Sequence, residues 1–167
     1  MKPPQAAGGP RYNASMKTIA NNSYAVARNS VLTQYAKHIS GAHSGLFCVL
    51  YACDLPAEAQ DALRKVAASL GYGNEGATFS CMKASEMLSD KQLFELMEGL
   101  DPLCVVCADE ESARSFAQVY RTTLPFEAPA RAGGRSVRVF KDFASCLASS
   151  DQKQRAWAQL KTLPVLA

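Results

Sequence analysis

"LFCVLYACDLPAEAQDALRKVAASLGYG", residues 46–73, is the stretch on which the fold turns. It opens with a continuous apolar run, Leu46 to Cys53, too short for a buried helix and of the length of a strand covered on both faces. Pro56 then opens a helix whose buried stripe is Ala59, Ala62, Leu63, Val66, Ala67 and Leu70, and Gly71 stands where a left-handed C-cap belongs. A doubly covered strand that feeds a helix is the building unit of a parallel sheet.

Working outward, the same alternation repeats. "ATFSCM" (77–82) predicts a second strand, and Ser89 with Gln92 offers a capping box for a helix through Leu93, Phe94, Leu96, Met97 and Leu100, closed by Asp101 and Pro102. "LCVVCA" (103–108) predicts a third strand. It runs into Asp109, Glu110 and Glu111, acids that suit the positive end of a helix carrying Ala113, Phe116, Ala117 and Tyr120. A fourth strand, "SVRVF" (136–140), follows a Pro-containing loop, and two short helices close the chain. Upstream, Tyr24, Ala27, Val31, Leu32, Tyr35 and Ile39 recur at helical spacing from Ser23 onward, until Gly41 and Gly45 break the pattern.

These elements predict an α/β fold of three layers, with a four-stranded, mainly parallel sheet in the order 2-1-3-4 and helices on both faces. The predicted domains are a flexible, basic, Pro/Gly-rich tail over 1–22 and a single α/β domain over 23–167, with Met16 a conceivable second start. In such sheets the working crevice lies at the carboxyl ends of the strands. Cys53, Asp54, Pro56, Asp109, Lys141 and Asp142 are delivered there.

At 167 residues, with 48% hydrophobic and 20% charged side chains, the chain can bury a core, so disorder and fibres are excluded. No apolar run approaches the ~20 residues a bilayer requires and no apolar signal core follows Met1, so the expected location is the cytoplasm, without a membrane partner. The net charge of +3 conceals a sorting along the chain. Residues 1–45 carry five Lys/Arg and no acid, 46–111 four bases against twelve acids, and 112–167 nine bases against three acids. Basic segments of this kind either bind a charged partner, commonly nucleic acid, or form solvated faces.

The chemistry-bearing residues are few. Cys104 and Cys107 form a Cys-x-x-Cys, but on a strand that spacing points them to opposite faces, so they read as core rather than as a metal or redox pair. The other ligands a zinc or iron-sulfur site would need are missing, and no metal or cofactor is expected. No histidine follows His43, and the glycines at 71, 73 and 76 lack the Lys-Ser/Thr of a phosphate loop. Asp54 and Asp109 could together bind a divalent cation or activate water, or could each stand beside a helix start. Arg131, Arg135, Arg138 and Lys141 form a basic run that could contact nucleic-acid phosphates or remain a solvated surface.

Three segments resemble the uracil-DNA glycosylase superfamily, most closely its iron-sulfur branch: "LFCVLYACDLPA" (46–57), "LDPLCVVCADEESARSF" (100–116) and "GGRSVRVFKDFASCLASSDQKQRAWAQLKTL" (133–163). The resemblance implies the 2-1-3-4 sheet. It also implies a base-flipping crevice, in which Asp54 takes the place of the acidic residue of the first motif. The chain departs from the family at the site itself. Lys141 and Asp142 stand where a His-Pro pair belongs, Cys53 and Ala57 replace glycines, no Asn follows Asn74, and no Cys precedes Cys48. "ACDLPAEAQDALRKV" and "QRAWAQL" are also similar to the psi-subunit family of the bacterial replicative polymerase, a glycosylase-like fold that serves as an adaptor through a mobile N-terminal peptide. The combined expectation is a non-catalytic, glycosylase-like module in DNA replication or repair. It would associate with DNA, or with a replication or repair protein through its tail. The alternative is an active glycosylase or nucleotide-processing hydrolase that uses Asp54.

Overall fold

Phe47–Tyr51 and Cys104–Cys107 pair in parallel at the centre of the computed structural model, which describes residues 23–52 and 54–166. In chain order the elements are α1 (23–34), β1 (Ile39–Gly41), β2 (Phe47–Tyr51), α2 (Ala57–Ser69), β3 (Ala77–Cys81), α3 (Asp90–Leu100), β4 (Cys104–Cys107), α4 (Glu110–Val119), β5 (Ala130–Ala132), β6 (Arg135–Val139) and α5 (Ser150–Leu160). Short 3₁₀ turns precede β1 (Ala36–His38) and α5 (Ala144–Ala148).

The sheet has six strands in the order β1-β3-β2-β4-β6-β5. Pairing is parallel from β3 through β2 and β4 to β6, and antiparallel at both margins. The expected four-stranded, mainly parallel sheet is therefore corrected to a six-stranded mixed one. The four strands read from apolar runs are the inner ones, and each edge gains a three-residue strand. Ile39, which continues the helical spacing of α1, instead leaves the helix through a 3₁₀ turn and pairs with Ser80. "ARA" at 130–132 has no apolar run to mark it, and pairs with β6 across the Gly133-Gly134 turn, both glycines with positive φ. The expected tail over 1–22 lies outside the described residues.

Alternation along the central strands divides the core in two, because successive side chains of a strand point to opposite faces. Cys48, Leu50, Val105, Cys107, Val137 and Val139 point to one side, where Val31 and Tyr35 of the first helical segment, Leu93, Leu96 and Met97 of α3 and Phe116 of α4 cover them. Phe47, Val49, Ala77, Phe79, Cys104 and Val106 point to the other, against Leu63 and Val66 of α2 and Ala156 and Leu160 of α5. Both faces are dry. That is why β2 and β4 read as unbroken apolar runs rather than as alternating ones.

The capping box at α3 forms as its sequence predicts: Ser89 Oγ accepts from Gln92 N–H at 3.2 Å, and Gln92 Oε1 accepts from Ser89 N–H at 2.9 Å. Asp101 ends this helix in the left-handed region, at φ 50°. Ser89→Ala is expected to lower stability by about 1 kcal/mol, measured as a shift of the urea midpoint without a change of slope. Among the described residues no helix is long and apolar enough to cross a membrane.

Candidate functional site

The chain leaves β2 for β3 on one side and returns to β4 on the other, so the strand order reverses between β2 and β4. At such a switch point the loops diverge and leave a crevice beyond the carboxyl ends of the strands. Here it has a volume of about 400 Å³ and is lined by Asp54 and Leu55 after β2, Ala108 to Glu111 and Arg114 around the start of α4, and Lys141, Asp142 and Ala144 after β6. Asp54 and Lys141 thus share one crevice, as do Asp109 and Asp142. Pro56 stands at the N-cap of α2, and the neighbouring Leu55 takes the lining position expected of it. Cys53 lies outside the described residues.

Asp109 holds this crevice together. Its Oδ1 accepts from Ser112 N–H at 2.8 Å, capping α4, and its Oδ2 accepts from Ala52 N–H at 2.8 Å, tying the end of β2 to the start of that helix. Ser112 Oγ adds a bond to Leu50 O at 3.2 Å. Both carboxylate oxygens therefore already accept backbone donors, which favours the helix-start reading of Asp109 over the cation-binding one. Among the described residues no three His, Cys, Asp or Glu side chains cluster as a metal would require.

Electrostatically the crevice is acidic. Asp54, Asp109, Glu110, Glu111 and Asp142 face two cations, Arg114 and Lys141. Glu111 is paired with Lys83 at 3.2 Å, and Lys141 sits 5.2 Å over the ring of Phe126. A carboxylate excess of this kind repels phosphate, the reverse of what a nucleic-acid groove uses.

The four residues expected to meet nucleic acid are not brought together. Arg131 is exposed on β5 and donates to Gly134 O at 2.8 Å and Ser136 Oγ at 3.3 Å. Lys141 lines the acidic crevice. Arg135 and Arg138, only 6% and 4% exposed, are buried on opposite faces of β6, which corrects their assignment to a phosphate-contacting surface. Arg135 donates to Glu98 at 2.8 Å and Asp101 at 2.9 Å. Arg138 donates to Thr162 Oγ1 at 2.6 Å and to Val137 O at 2.7 Å, and burial lowers its pKa. These guanidiniums brace the sheet against its helices. Closeness in sequence groups them into a run, and strand alternation separates them.

The Cys-x-x-Cys resolves as its spacing predicts, with Cys104 in one core layer and Cys107 in the other. Burial pushes the Cys104 thiol up to about 11 and raises Cys107 further, so both stay protonated as small core side chains.

A second concavity escapes the motif-based reading. α2 and α5 lie on the same face of the sheet, and the space between them is a trough of about 480 Å³. Its apolar lining is Ala62 and Val66 of α2, Ala156, Trp157 and Leu160 of α5, and Phe143 and Leu147 from the turn beneath. Trp157 remains 41% exposed. The apolar spacing of each helix is visible in the sequence, but the gap between them is not, because it depends on how far apart two segments ninety-odd positions apart are held. Comparison with family models and with curated proteins finds no match.

Proposed function

We propose that this chain is a non-catalytic interaction module that works in DNA replication or repair. The observation that carries the interaction reading is the trough between α2 and α5, an apolar concavity open to solvent and walled by a half-exposed tryptophan. Trp157, with the half-buried Ala62 and Leu147 near it, keeps apolar surface open at the trough, and tryptophan is among the residues that most often anchor protein interfaces. The replication or repair setting rests on the resemblance of residues 46–57, 100–116 and 133–163 to glycosylase-like proteins. Direct phosphate contact draws no support from Arg135 and Arg138, which are buried and held by bonds inside the fold.

The test is cross-linking in the cell of origin from a photoreactive residue at position 157. Attachment to a replication or repair protein is the expected result. Attachment to unrelated proteins, or to none, overturns the proposal.

One observation favours a second reading. Asp54 is exposed at the switch-point crevice beside Lys141, where an acid on a base-flipping enzyme would stand. Incubation with single- and double-stranded DNA containing uracil or hypoxanthine separates the readings. Abasic sites formed by the native chain and lost in Asp54→Ala establish the enzyme, whereas intact DNA is the outcome expected of the module.

A further inference from the structure

The charges around the trough name its occupant. Asp61, on the α2 wall, is already neutralised by Arg64 at 2.9 Å. Glu58, Lys65 and Lys153 also line the trough, and among the described residues none of the three is in an ion pair. Lys161 stands just outside, its ammonium 5.6 Å over the Trp157 ring and 3.2 Å from Ser69 Oγ. The uncompensated rim is thus cationic, three lysines against Glu58, around an apolar floor. Part of the basic excess of residues 112–167 is displayed here rather than at the sheet crevice.

Shape narrows the choice further. The lining positions of α5 are 153, 156, 157 and 160, and those of α2 are 58, 61, 62, 65 and 66, so each wall is one face of a helix. The small Ala62 keeps the α2 wall low, which lets a third element approach Leu147 and Trp157. A helix laid in a groove between two helices is a recurrent mode of peptide recognition, with anchors at i, i+3, i+4 and i+7. A nucleic-acid strand would use the lysines and stack on Trp157, but would leave the half-buried Leu147 without an apolar partner.

We infer that the trough between α2 and α5 binds an acidic amphipathic helix of a partner protein, its apolar stripe on Leu147 and Trp157 and its flanking carboxylates on Lys65 and Lys153. The inference rests on the interaction reading above and specifies the partner's chemistry.

The probe is a synthetic helical peptide with leucine at i, i+3, i+4 and i+7 and glutamate on the flanks, compared with the same peptide carrying lysine for glutamate. Trp157 is the only tryptophan in the chain, so its emission reports the trough alone. The acidic peptide is expected to shift that emission saturably and to bind about tenfold more tightly than the basic one, because like charges across an interface suppress the wrong partner. The double variant Lys65→Glu/Lys153→Glu, both exposed and therefore compatible with folding, is expected to reverse the preference. Equal binding of the two peptides, or no saturable change with either, overturns the inference. So does tighter, steeply salt-dependent binding of oligothymidylate at Trp157. Cross-linking of a replication or repair protein at position 157 without a preference for acidic peptide would remove the charge rule and leave the interaction module standing.

Discussion

Arg135→Ala is expected to lower the stability of the chain by about 2–4 kcal/mol, below the 3–5 kcal/mol typical of one partner lost from a fully buried ion pair. Arg135 reaches from β6 across one face of the sheet to Glu98 and Asp101 at the end of α3, and its Nη1 lies 3.3 Å from the Tyr120 hydroxyl beyond α4. Its removal detaches two helices from one strand. The cost is limited because the side chains of Glu98 and Asp101 are 44% and 67% exposed and rehydrate when the guanidinium leaves. Arg135→Lys keeps the charge but not the fork, and should fall between the native chain and the alanine variant.

The same cluster predicts a pH dependence. Burial pushes the Glu98 carboxyl up, but hydrogen bonds from Tyr120 and Arg135 outweigh it, and its pKa lies below the ordinary value. A depressed carboxylate adds stability above its unfolded pKa of about 4.3 and loses that contribution as pH falls through the folded value. Urea midpoints of the native chain should therefore drop on acidification below about pH 4.3, more steeply than those of Glu98→Gln. Equal acid sensitivity in the two would remove Glu98 as a source of the effect.

The residues that were legible in the sequence and those that were not differ in where their partners lie. β2, β3, β4 and β6 could be read because burial on both faces demands an apolar run from each strand alone. Ser89 with Gln92, and Gly71 after Leu70, were legible because caps are settled within a few residues. β1 and β5 could not be read: three residues at a sheet margin bury little, and their pairing is decided by β3 and β6. Arg135 and Arg138 failed for the same reason. A cation in a strand reads as a surface charge until its acceptors appear, and those are Glu98, 37 positions upstream, and Thr162, 24 positions downstream. The crevice was placed by topology, which only needs the strand order, whereas the trough is a distance between helices and had no local signature.

Asp109→Ala is expected to cost about 1.5–5 kcal/mol, the sum of a lost helix cap, about 0.5–2 kcal/mol, and a buried amide left without an acceptor, about 1–3 kcal/mol. The cap is the bond from Ser112 N–H, and the amide is that of Ala52, a residue 1% exposed at the end of β2. The two losses are separable. Asp109→Ser retains a capping oxygen but cannot span to β2, so it should recover the helix contribution and leave Ala52 orphaned. Asp109→Asn offers one accepting oxygen where the carboxylate offers two, and should also fall between the native chain and the alanine variant. Hydrogen exchange at the Ala52 amide reads the second loss directly: protection should fall in both Ala and Ser variants, while the α4 amides are exposed only in the first. If Asp109 instead served to bind a cation or activate water, the Ala52 amide would stay protected in Asp109→Ala. The strand order reverses here, and Asp109 on the Ala52 amide, together with Ser112 Oγ on Leu50 O, ties the start of α4 to the end of β2.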